Sequence, residues 1–184
     1  SFRSPGTMLD RAQAVIARRN AGELLMGEPF ISAIIDKKDP LAAQGSITVS
    51  SEAEAIEAVR KVKAAGLWGA KFYTSMDPAW IPAAAAEAHR LGLHVHGHVP
   101  ATMRPSQAVQ SGYDEITHLN FVVMEAMPKE VVDKANTAAR IEGPAKYAAK
   151  MDLAAEPMRG FIADLARRKT VIDPTLVVFE ATMT

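Results

Sequence analysis

Apolar residues along this chain fall into two patterns that take turns, one with helical spacing and one of short runs with little polar interruption. Ala53, Ile56, Val59 and Val62 recur at helical spacing behind Ser51 and Glu54, a pairing that satisfies two backbone donors left over where a helix begins. Glu57 and Lys61 sit one turn apart, and Gly66 suits the left-handed position just past the end, so the pattern predicts an amphipathic helix from about Glu52 to Ala65. Trp68 to Tyr73 follows as a short strand. Asp77-Pro78 then supplies an N-cap and a first-turn proline for a helix ending near Arg90 and Gly92, with Ala83 to Ala86 adding helix propensity.

The alternation continues in both directions. Leu93 to Val99 and Glu115 to Leu119 read as strands, separated by a short helix from Pro105 to Gln110 that Gly112 closes. Upstream, a helix near Leu9 to Asn20 precedes Phe30 to Ile35, a β-branched run of the kind that buried parallel strands carry. Downstream, a helical stretch from Pro128 to Arg168, broken near Gly143-Pro144 and Met151-Asp152, leads to a last strand from Val171 to Val178. Asp36 to Gly45 is the segment predicted to be irregular. Five strands alternating with helices imply an α/β fold with a parallel sheet and right-handed crossovers.

Composition narrows the function. Twenty-one basic residues balance twenty-one acidic ones, so no net field draws the chain to nucleic acid or to an anionic membrane surface. No apolar run approaches the roughly 18 residues of a membrane span. A small-molecule substrate is the expected partner. The absence of cysteine removes disulfides, thiolate nucleophiles and Cys-zinc sites, and fits a reducing or an oxidising compartment equally. A doubly wound nucleotide binder ranks last, since no Gly-x-Gly-x-x-Gly or Walker-type loop follows a predicted strand.

Three residues carry the chemistry. Lys71, His98 and His118 end successive predicted strands at steps of 27 and 20 residues, one βα unit each. In a closed βα barrel the strand C-termini converge on one face, so these side chains would meet there. Neutral imidazoles are common metal ligands, whereas an ammonium repels a cation, so Lys71 belongs in such a site only if neutralised or modified.

Four segments in this order and spacing resemble the amidohydrolase superfamily, in the branch of imidazolonepropionase-like and Xaa-Pro dipeptidase-like enzymes. They are Ala70-Lys71-Phe72-Tyr73, Ala88-His89-Arg90-Leu91-Gly92-Leu93, Gly97-His98-Val99-Pro100 and Gly112-Tyr113-Asp114-Glu115-Ile116-Thr117-His118. The resemblance covers Leu9 to Glu180 and implies an incomplete (β/α)8 TIM-type barrel. It implies that the strand-4 lysine, Lys71, carries CO₂ as a carbamate bridging two divalent metals, zinc by expectation, and that His98 and His118 bind one of them. The activity it implies is hydrolysis of a C–N bond through a metal-activated water, in an N-acyl amino acid, a Xaa-Pro-type dipeptide or a cyclic amide. Tyr73, two residues after Lys71, is the candidate substrate-contacting residue, the alternative being an ordinary strand-end aromatic.

The pattern is also incomplete. The superfamily's His-x-His pair ending strand 1 and its general-base aspartate ending strand 8 have no match, and Asp173 falls in a segment resembling the strand-7 Asp-Pro-Thr-Leu. Residues 1–184 are therefore expected to form one partial barrel domain. Strands 1, 2 and 8 are expected outside it, no catalytic residue within it, and no activity alone. Lys71 is expected to be carboxylated only in the complete enzyme, and exposed strand edges to promote self-association. His94-Val95-His96 is an alternative His-x-His pair; the reading preferred here is packing with hydrogen bonds to neighbours. His89, in the last turn of a helix, reads as structural, Thr117 and Asn120 as possible supports of His118, and Met103, Met124 and Met127 as core filling. The rival reading of the whole chain is a non-catalytic α/β binding or assembly domain whose histidines are structural.

Overall fold

In the computed structural model, which describes residues 1–177, the predicted alternation closes into a single parallel sheet with helices packed on one face. In chain order the elements are β1 (Phe2–Thr7), α1 (Leu9–Asn20), β2 (Pro29–Lys37), β3 (Ile47–Val49), α2 (Glu52–Ala64), β4 (Gly69–Phe72), α3 (Ile81–Arg90), β5 (His94–Gly97), α4 (Pro105–Gln110), β6 (Glu115–Thr117), α5 (Leu119–Val123), α6 (Lys129–Asp133), α7 (Ala139–Tyr147), α8 (Met158–Arg168) and β7 (Val171–Asp173). The sheet order is β1-β2-β4-β5-β6-β7, every pair parallel, with β3 added to the end of β2. Six strands in this order form an open half-barrel, part of a TIM-type architecture.

The two faces of the sheet differ because strand residues alternate. Ile31, Ala33, Ile35, Ala70, Phe72, Val95 and Ile116 are buried in the core formed with the helices, where α2 and α3 contribute Val59, Val62, Ile81 and several alanines. Full burial of each large side chain contributes about 1.5–3 kcal/mol. The register pairs Lys71 with His96 and His96 with Glu115, so these three polar side chains form one row across β4, β5 and β6 on the opposite face. Ser32, His96, Glu115 and Thr117 are completely buried there, which makes their hydrogen bonding decisive.

The sequence predicts five strands, and among the described residues the sheet contains seven. β1 carries Arg3-Ser4-Pro5-Gly6, with no apolar alternation to announce it, and becomes a strand by pairing with β2 at the end of the sheet. Proline is tolerated on an edge strand, and the register shifts between Ser4 and Thr7 around Pro5-Gly6. β3 forms just after the expected irregular segment. The last strand ends at Asp173 rather than continuing to Val178, which lies outside the described residues.

The predicted break at Gly143-Pro144 is absent, since α7 runs through both residues. Pro144 lacks the N–H that the Arg140 carbonyl would normally accept from, and the Asn120 side-chain amide donates to that carbonyl instead, at 2.9 Å. Gly143 is required for a different reason: a Cβ there would stand 2.3 Å from Val131 Cγ1 on α6.

Candidate metal centre

Lys71 is the third residue of β4, and His98 and His118 each stand one residue beyond the ends of β5 and β6. Gly97 makes the first of these turns possible. Its φ is +139°, and a Cβ would lie 2.1 Å from the Phe72 carbonyl oxygen, a distance no side chain tolerates. His98 is then fixed at both ends of its backbone: its N–H donates to Phe72 O at 3.0 Å, and the buried Tyr113 hydroxyl donates to its carbonyl at 2.9 Å. His118 has φ +75°, unusual for a residue with a side chain, and is held there by its N–H donating to Asp173 O at 2.7 Å. Backbone strain of this kind concentrates at sites that use it.

The imidazoles of His98 and His118 meet edge to face, with ring centroids 4.7 Å apart. His98 also lies 3.8 Å from the Tyr73 ring and 4.8 Å from Phe121, centroid to centroid. With Asn120, Arg140 and Ile141 these four side chains line a cavity of about 260 Å³. Lys71 approaches from β4, its Nζ 5.9 Å from the Tyr73 ring centroid. On the Lys71 side, a Cβ on Gly6 would stand 2.7 Å from Lys71 Cδ, so the bare glycine backbone of β1 makes the room the lysine occupies.

Burial shifts all three groups towards their neutral forms. Burial holds His98 well below its ordinary range, reinforced by Lys71 and His118, and burial with Lys71 lowers His118 to about 4 against the opposing pull of Asp173. Burial lowers Lys71 to about 8, although Asp173 and Glu115 favour its charged form. His118 Nδ1 meets Thr175 Oγ1 at 2.6 Å, which orients the ring and leaves Nε2 for a ligand. His98 Nδ1 is buried with no hydrogen-bond partner among the described residues, a costly state that a bound ion or water would relieve.

The donor set fits a divalent cation in part. Among the described residues no group of three or more His, Cys, Asp or Glu side chains is placed to hold an ion unaided. Two imidazoles are present, and Lys71 can join them only as a modified, anionic side chain.

The other histidines are committed elsewhere. His96 spans the barrel interior, with Nε2 2.8 Å from Ser32 Oγ and Nδ1 3.1 Å from Thr117 Oγ1. His94 stacks on Trp68 at 4.3 Å and meets Glu115 at 3.1 Å, so the two make structural contacts rather than a ligand pair. Glu115 also accepts two hydrogen bonds from Arg3, which reaches Asp173 as well, at 2.8 Å. Burial alone would raise Glu115, but the bonds from His94 and Arg3 outweigh it and hold the carboxylate at about 2. His89 pairs with Asp114 at 3.0 Å near the end of α3. Thr117 serves His96, and Asn120 serves Arg140, so neither holds the His118 ring. Phe121, Arg140 and Gly6 enter the site unannounced by the sequence, because a helix arginine or an edge-strand glycine carries no signal of the partner it will face.

No family model matches the chain, and no curated protein matches it in sequence. Solved structures match its fold. A bottromycin amidohydrolase superposes with a TM-score of 0.55 at 22% identity over 73% of this chain and 29% of its own. A Xaa-Pro dipeptidase with methionine bound in its active site gives 0.52 at 17% identity over 92% of this chain and 52% of its own. Ochratoxinase from A. niger gives 0.55 at 14% identity over 94% of this chain and 52% of its own. The chain thus spans about half the length of these neighbours or less. The likeness establishes the fold: the parallel sheet with its helices matches part of the fold of these structures.

Proposed function

We propose that this chain supplies one half of the metal centre of an amidohydrolase that hydrolyses a C–N bond in an amide, a dipeptide or a cyclic amide. The observation that carries the reading is the pair His98 and His118, at adjacent strand ends with ring centroids 4.7 Å apart, both kept neutral by burial and one with an unpartnered ring nitrogen. Neutral imidazole is the form that binds zinc. Counting β4 as the barrel's fourth strand makes β1 the second and β7 the seventh, so the second strand, expected outside the chain, is counted within it, and the first and eighth places, with their His-x-His pair and general-base aspartate, have no counterpart among the described residues.

Lys71 supports the same reading. Its pKa of about 8 leaves a substantial share of neutral amine at mildly alkaline pH, and only the neutral amine combines with CO₂, its nitrogen attacking carbon and losing a proton to give the carbamate anion. A divalent cation, when bound, lowers the pKa of water and polarises a carbonyl. The residues of this chain would hold and orient: His98 and His118 as ligands, Thr175 fixing the His118 ring, Tyr73 and Phe121 walling the cavity against water, and Tyr73 contacting substrate. The dipeptidase neighbour, which holds methionine in its active site, supports a substrate of amino-acid size.

Calorimetric titration of zinc into the chain tests this. The account expects binding that weakens at least about tenfold in His98→Ala and again in His118→Ala. Affinity unmoved by both substitutions would reject it. Amide hydrolysis by the chain alone is expected to stay near background, because ligands and general base act as a unit.

A further inference from the structure

One charged side chain in the cavity wall has no carboxylate partner among the described residues. Arg140, the second residue of α7, lines the cavity with Tyr73, His98 and His118. Arg3, Arg60, Arg90, Arg159, Arg167 and Arg168 each hold a carboxylate. Arg140, among the described residues, forms no ion pair, and its guanidinium donates a single long bond, 3.3 Å, to Thr137 O. Its place is nonetheless fixed, since its own carbonyl is bound by Asn120, two residues from His118. A guanidinium facing two imidazoles disfavours a bound cation there unless something anionic enters with it.

We propose that Arg140 anchors a carboxylate of the substrate, so that the cavity selects small N-acyl amino acids or dipeptides over neutral amides. The inference rests on the reading of this cavity as the substrate site. The guanidinium fork matches a carboxylate with two parallel hydrogen bonds. Ile141 and Phe121 provide apolar wall beside it for an amino-acid side chain, and the histidines stand on the same cavity for the acyl carbonyl. A volume of about 260 Å³ falls below the usual range for drug-sized ligands and suits a compact molecule.

The test compares binding of N-acetyl-L-leucine with that of N-acetyl-L-leucinamide by calorimetry, with chelator present throughout so that no metal can supply the preference. The acid is expected to bind about ten- to a hundredfold more tightly than the amide. Arg140→Met should erase the difference and Arg140→Lys keep part of it, with thermal unfolding confirming that both variants fold. Because chelator removes metal from this comparison, while the metal reading is tested by zinc affinity, the two readings fail separately. Equal affinity of the unmodified chain for acid and amide, no binding of the acid, or a preference that survives Arg140→Met would overturn the proposal.

Discussion

Asn120 donates its side-chain amide to the main-chain carbonyl of Arg140, the carbonyl that Pro144 leaves without a partner one turn later. This bond fastens α7, and with it one wall of the cavity, to the turn that carries His118. Asn120→Ala leaves the carbonyl unsatisfied in a partly buried place and is expected to cost about 1–3 kcal/mol in urea unfolding. Pro144→Ala restores an N–H in the same position, so the cost of Asn120→Ala should fall by about 1 kcal/mol in that background. An equal cost in both backgrounds would show that the bond does not substitute for the helical one.

Arg3 reaches across the interior from β1, at one end of the sheet, to Glu115 on β6 and Asp173 on β7. Arg3→Met removes these bonds and leaves Glu115, whose side chain is 1% exposed, with His94 at 3.1 Å and the His96 ring at 3.8 Å beside it. A loss of about 3 kcal/mol is expected, the lower end of what stranding a buried charge costs, since Arg3 itself is partly exposed. Adding Glu115→Gln should recover part of it. A neutral Arg3→Met would mean that the contact does not hold the half-barrel together.

Stability should fall in two stages as pH drops. Unfolded, His96 takes up a proton near 6.5; folded, burial outweighs the attraction of Glu115 and keeps it neutral down to about 3. The unfolded chain therefore binds more protons in that window, and stability is whole above about 6.5 and declines as pH falls towards 3. His98 and His118, also lowered by burial, act in the same direction. Glu115 acts later: held at about 2 when folded against an ordinary 4.5, it contributes stability above 4.5 that is lost as pH falls towards 2. Urea midpoints over a pH series should show both stages, and His96→Asn should remove about one proton from the first. An unchanged first stage in that variant would contradict the account.

Much of this was legible in the sequence because single rules acted locally. The Ser51–Glu54 pair marks the start of α2, and in the structure the Ser51 side chain accepts from the Glu54 N–H. Lys71, His98 and His118 sit one βα unit apart, which is enough to place them at one end of a parallel sheet. The remainder depends on partners distant in sequence. Arg3-Ser4-Pro5-Gly6 becomes a strand only against β2, and Gly143-Pro144 continues a helix only because Asn120 supplies the missing donor. Arg140 looks like any surface-helix arginine until the fold aims it at the histidines.

The two ends of the sheet bear on assembly. β1 and β7 end the strand order, and Phe2 and Val171 on them are 41% and 47% exposed. Edges left unpaired among the described residues, beside exposed apolar residues, favour pairing with a second copy. Light scattering at increasing concentration should show a rising mass; a strictly monomeric species across the range would contradict this expectation.

The most direct test of the central claim is a zinc-soaked crystal of the chain, examined at the zinc absorption edge. The account predicts an anomalous peak about 2.0–2.1 Å from one ring nitrogen of His98 and one of His118. A peak at His94 or His89 instead, or none while zinc is bound in solution, would contradict the assignment of this pair as the metal centre.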